Sequence, residues 1–250
     1  MYDPTAVLAS IDRNAIWVLL FGAFAIGGNC VFYIAMLRAA LAAKMAPMVL
    51  LTAVVFLLHD GNYVASANLW FGKYRHWFPI LFWGWLIVTA FFAVTWIVLI
   101  IRWGRSDTAG RLNRKQWTGW CLASVLVGLT MWIPLKSALD DDLYLLSFML
   151  TINLCAISGL TLYIRRGGAY GQSVLQWTAF TVMGAGFFGC SQFFGDEVFR
   201  SPAWIGMALF NVLAGIFLAV AAKRAAGDTR HRVDGTSTHT TSTRLPMASR

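Results

Sequence analysis

Seven apolar stretches, each bounded by short polar or charged segments, divide the chain: residues 15–37, 46–69, 78–101, 117–135, 143–164, 173–194 and 203–222. Each holds about 20 residues, the number a helix needs to cross a hydrocarbon layer roughly 30 Å thick. None alternates over ten residues like a barrel strand, and backbone groups left unpaired in lipid are too costly for an open or irregular structure. The pattern predicts an all-α integral membrane bundle of seven transmembrane helices.

The polar segments set its direction. Arg38 and Lys44, then Arg102, Arg105, Arg111, Arg114 and Lys115, then Arg165 and Arg166, and six cations from Lys223 onward fall on one side, fifteen of the twenty Lys and Arg. Arg13, Lys73, Arg75, Lys136 and Arg200 fall on the other. The positive-inside rule places the richer side in the cytoplasm, so the N-terminus is expected outside and the C-terminus inside the cell membrane. Most acids lie on the outer side, among them Asp3, Asp12, Asp140, Asp141, Asp142, Asp196 and Glu197.

Composition agrees with this class. The chain is 58% hydrophobic and 12% charged, where soluble domains carry about 25% charged residues. Its net charge of +9 is spread over loops and tail rather than gathered on one soluble face, so nucleic acid is not an expected partner. One domain, residues 1–226, accounts for the spans. The Thr/Ser-rich tail, residues 227–250, has no apolar periodicity and is expected to be disordered. Its His231 and His239 are too isolated for a metal site. The run after Arg13 is too long for a signal-peptide core, so the first span is expected to remain in the mature protein.

Cys30, Cys121, Cys155 and Cys190 sit within apolar runs without CxxC spacing, which predicts free thiols rather than a zinc site or disulfide framework. Glycines in 22–28 and 184–195 suit close helix approach. The contiguous Asp140, Asp141 and Asp142 lack the separation that carboxylates need around a Mg²⁺ ion, and Asp142 reads as a cap for the fifth span. No metal and no cofactor is expected.

Ionisable residues inside an apolar bundle are the candidates for chemistry. Asp60 lies in the outer third of the second span, in a stripe with Phe56, Tyr63, Val64 and Ala67 at helical spacing. His59 and Asn62 flank it, and Trp70, Phe71, Tyr74, Trp77, Phe78, Trp83 and Trp85 follow. Asp196 and Glu197 end the sixth span on the same side, so two carboxyls are expected at one pocket. Other seven-helix chemistries fail on absences. The seventh span has no lysine before Lys223 for a retinal Schiff base, and His59 is the one histidine within a span, which excludes a bis-histidine haem. HExxH, P-loop and nucleophile-triad patterns are also missing.

An acid in the outer part of the second helix, here Asp60-Gly61-Asn62-Tyr63, with another ending the sixth, here Gly195-Asp196-Glu197-Val198-Phe199, resembles the integral membrane terpene cyclases. These act in fungal meroterpenoid and indole-diterpene pathways, and bacterial relatives cyclise prenylated indoles or cyclodipeptides. The fungal proteins carry glutamate where this chain has Asp60. The resemblance implies a metal-free cyclase that protonates an alkene or epoxide of a prenylated substrate, expected to be farnesylated, and guides the carbocation. Asp60 and Asp196 are then the acids. His59, Tyr63 and Asn62 orient the substrate with Glu197, and Phe56, Trp70, Phe188, Phe193 and Trp204 line the cation path. Aromatic faces stabilise a cation without attacking it, and a desolvated carboxyl stays protonated until used. Two other classes fit the same residues: a transporter or receptor with a carboxylate pocket, and a structural partner of another membrane enzyme.

Overall fold

The computed structural model describes residues 2–108 and 111–236. The fold is all-helical, 84% helix, with no strand among the described residues. α1 (Pro4–Arg13) opens the chain, capped by Asp3, whose side chain accepts from the Thr5 N–H at 2.9 Å, with Pro4 in its first turn. This helix was not among the expected elements. Its apolar face, Val7, Leu8 and Ile11, is buried, but ten residues are too few to register as a span.

Among the described residues seven longer helices follow: α2 (Ala15–Ala43), α3 (Leu50–Ala65), α4 (Trp77–Trp103), α5 (Arg114–Leu139), α6 (Leu145–Arg166), α7 (Val174–Ser191) and α8 (Pro202–Thr236). α2, α4, α5, α6 and α8 as far as Ala226 are long and apolar enough to cross a membrane. This is a membrane protein. α3 and α7 have 16 and 18 residues, rising roughly 24 and 27 Å at 1.5 Å per residue. The second apolar stretch is therefore not one helix. It begins only at Leu50, ends at Ala65, and continues after a short break as a π-helical turn, Leu69–Tyr74. α8 passes the Gly227 boundary drawn from composition and continues to Thr236; residues 237–250, with His239, lie outside the described residues.

Contacts between loops show that the helices alternate in direction. At one end Tyr2 donates to the Asp141 carboxylate, Tyr74 donates to Asp142 at 2.8 Å, and Trp77 Nε1 donates to Asp12 at 2.8 Å. At the other, Arg166 Nη2 reaches Asp107 Oδ2 and the Ala46 carbonyl, both at 2.7 Å, and Nη1 reaches the Tyr170 carbonyl at 2.9 Å. Arg166 and Asp107 read as loop charges in the sequence. Here both side chains are buried, 3% and 1% exposed, and their ion pair joins three connections.

Small residues set the closest approach. A Cβ on Gly28 would lie 2.7 Å from the Met183 nitrogen, and one on Gly186 would lie 2.6 Å from the Ala25 nitrogen, so the α2 and α7 backbones touch. Gly22 and Gly27 face no neighbour within 4 Å, so only part of the glycine-rich stretch serves packing. Trp96, Trp177, Phe32 and Phe180 fill the interior, while Ile16, Phe91 and Ile133 are 80%, 70% and 68% exposed. An apolar exterior of this kind suits lipid, not water. All four cysteines are free.

Candidate functional site

Asp60 is buried in the bundle, 1% exposed. Its Oδ1 lies 2.7 Å from His59 Nδ1, and its Oδ2 lies 2.5 Å from Thr89 Oγ1 on α4. Thr89 Oγ1 is also 3.1 Å from the Leu86 carbonyl. A hydroxyl has one hydrogen and accepts others, so the cluster holds Asp60 in two forms without repacking. As a carboxylate, Asp60 accepts from Thr89. As an acid, it donates to Thr89, which turns its hydrogen to Leu86.

His59 is fully buried, with its ring 5.6 Å from Trp132, 5.6 Å from Tyr144 and 5.9 Å from Phe148. Its Nε2 has no partner. A donor or acceptor left unmade in such a place costs about 1–3 kcal/mol. The side chains that surround the pair come from α5 and α6, and from Tyr144 just before α6. None was picked out from the sequence, because an aromatic on an apolar helix is indistinguishable there from packing.

The rest of the α3 stripe serves the helix end. Tyr63 donates to the Pro79 carbonyl at 3.1 Å and stacks on Trp70 with ring centres 4.1 Å apart. Trp70 Nε1 donates to the Tyr63 carbonyl at 2.8 Å, and Trp83 Nε1 to the Val64 carbonyl at 2.9 Å. Both carbonyls belong to the last turn of α3; that of Tyr63 also accepts from the Ser66 N–H at 3.1 Å, and the indoles supply further donors where the helical ladder runs out. The aromatic density after the second span thus has a structural use beyond a membrane belt. Phe56 is buried with its ring 6.1 Å from Trp96.

The other residues expected at the site make different contacts. Asp196 caps the 3-10 turn Glu197–Arg200, accepting from the Val198 N–H at 2.9 Å, and no hydrogen bond or ion pair joins it to Asp60 among the described residues. Glu197 and Asn62 are exposed. Phe193 stacks on Trp17 and Phe21 of α2, at 6.0 and 5.9 Å. Trp204 is buried and donates to Ser191 Oγ at 2.9 Å, and Phe188 is partly buried. Asp60 is thus paired with His59 and Thr89, and Asp196 with its own turn. A shared end of the bundle does not place two loops at one point.

Asp141 is also buried, 1% exposed. It accepts from Tyr2, from the Leu145 and Ser147 N–H groups at 2.9 and 2.7 Å, and from Ser147 Oγ at 2.8 Å. Burial, and then the charge of Asp141, hold the Tyr2 phenol far above its ordinary pKa, so it remains a donor. Asp141, not Asp142, caps α6. Asp142 lies outside with Lys73 and Tyr74.

Beside the Asp60 cluster runs an apolar crevice of about 200 Å³, lined from α2, α4, α6 and α7. Phe82 and Phe148 border it, and the same rings pack on Tyr63 and His59 at 5.3 and 5.9 Å. Phe148 thus touches both the crevice and His59, the partner of Asp60. Leu19 and Leu81, each 50% exposed, mark where it opens sideways. Among the described residues no group of His, Cys, Asp or Glu is arranged to hold a metal ion. No protein-family model, curated protein or solved structure matches the chain.

Proposed function

We propose that the chain is a seven-span cyclase of the cell membrane, N-terminus outside, in which Asp60 gives the initiating proton to a prenylated substrate. The observation that carries this is Asp60 itself: a carboxyl sealed in a membrane bundle, hydrogen-bonded to His59 and Thr89, behind the aromatic wall of a crevice open to lipid. A substrate enters from the bilayer through the side opening. Phe82 or Phe148 swings aside, and Asp60 O–H adds its proton to an alkene or epoxide. The electron pair of the next double bond closes the ring, and the cation moves along the faces of Phe82, Phe148 and Phe187. Loss of a proton to a base ends the sequence, so the product is an isomer of the substrate. His59 Nε2, buried and free, suits that step. Exclusion of water protects the cation from capture.

One observation favours a second reading. Asp60 is fully engaged and does not border the crevice, the arrangement of a group that binds a proton in order to couple it to transport. The experiment that separates the two is incubation of membranes expressing the chain with a farnesylated indole, followed by chromatography and mass spectrometry. The cyclase yields a product of unchanged mass and altered retention. Unaltered substrate, with proton-dependent uptake into vesicles, supports the transporter and refutes the cyclase.

A further inference from the structure

The crevice contains one polar side chain with an unmet need. Asn29 borders it, is 3% exposed, and directs its amide N–H groups to Met183 Sδ at 2.9 Å and to the Tyr33 phenol oxygen, while its Oδ1 has no partner. The other lining groups are hydrocarbon, aromatic or sulfur, apart from the indole N–H groups of Trp77, which donates to Asp12, and Trp85, and the Cys190 thiol is turned to the Val18 carbonyl at 3.6 Å. A lone acceptor in such surroundings is unfavourable unless a donor arrives. Water is a poor occupant, since a buried water needs two to four polar partners. A lipid acyl chain brings no donor at all.

We infer that the crevice binds a slender isoprenoid carrying one hydrogen-bond donor, a hydroxyl or ring N–H, which is delivered to Asn29 Oδ1. The donor end sits between α2 and α7, and the chain lies against Phe82, Phe148 and Phe187. At about 200 Å³ the crevice holds only part of a fifteen-carbon chain, and the remainder passes between Leu19 and Leu81 into the bilayer. This deepens the cyclase proposal by naming what the substrate must carry, and rests on it for the isoprenoid class. Binding, however, is measured without turnover.

The test is equilibrium binding of radiolabelled farnesol to the detergent-purified chain, competed by farnesol or by farnesyl methyl ether, which keeps the chain and loses the donor. One hydrogen bond predicts that the alcohol binds about five- to tenfold more tightly. Asn29→Leu lowers farnesol affinity to that of the ether and leaves the ether unchanged. Gly22 borders the crevice, and a Cβ there meets nothing within 4 Å, so Gly22→Leu fills the space and removes binding of both, which separates the crevice from partition into detergent. Equal affinity of alcohol and ether for the unaltered protein overturns the inference, with no variant needed. So does an alcohol preference that survives Asn29→Leu, or binding indifferent to Gly22→Leu. Selective binding without cyclisation keeps this site and removes the catalytic proposal.

Discussion

Replacing Asp141 by asparagine tests whether the buried carboxylate at the start of α6 holds the bundle end together. Asparagine has the same shape, but one oxygen becomes an NH₂ group. If the NH₂ takes the Oδ2 position it faces the Ser147 N–H and hydroxyl; at Oδ1 it faces the Leu145 N–H and the Tyr2 phenol. A hydroxyl can turn and accept. A backbone N–H cannot, so either orientation leaves one buried N–H without an acceptor, at about 1–3 kcal/mol. The remaining bonds lose their charge assistance. The sum is about 3 kcal/mol, or about 6–12 °C in melting temperature for a chain of this size. Asp142→Asn is the control, because its ion pair with Lys73 is about half exposed on both sides and pairs of that kind contribute under about 1 kcal/mol. Thermal unfolding of equal amounts of each protein in one detergent, followed by intrinsic fluorescence, gives the comparison. A shift for Asp141→Asn no larger than for Asp142→Asn refutes the assignment of the cap.

Gly186→Leu forces a side chain into the Ala25 backbone and is expected to destabilise by about 1–3 kcal/mol or more, whereas Gly27→Leu, with open space beside it, leaves the melting temperature nearly unchanged. Equal behaviour of the two sinks the close-packing account of α2 and α7. A cysteine placed at Ser201 should react with an impermeant reagent from outside intact cells and one at Ser106 should not; the reverse pattern overturns the proposed orientation.

The apolar runs located all seven long helices, because burying backbone polar groups in lipid leaves helices as the simple solution. They failed at α1, too short to span, and at the end of α3, where the Trp70 and Trp83 indoles donate to last-turn carbonyls. Asp60 and His59 stood out as ionisable groups in an apolar run. Thr89 and Asn29 did not: neither titrates in the accessible range, and a lone hydroxyl or amide in a span is commonplace. Asp141 was hidden by its neighbours. Three consecutive aspartates look alike until the backbone turns at Asp140, which adopts a left-handed conformation (φ 43°), and points one of them inward. Order along the chain places Asp196 at an end of the bundle but not at a point around its axis.

The central claim, that Asp60 is the proton source, is tested most directly by Asp60→Asn in the cyclisation assay. Asparagine keeps the size of the side chain and an oxygen for Thr89 or His59, so the bundle is expected to remain folded and to bind substrate. It has no acidic proton to give an alkene, and turnover should fall by at least about 10²-fold, the lower range for loss of a positioned general acid. Asp60→Glu retains the acid displaced by one methylene and should keep partial activity. Protein recovered in equal amount, binding the substrate normally and forming no cyclised product, is the result the account predicts. Cyclisation by Asp60→Asn at the rate of the unaltered protein contradicts it.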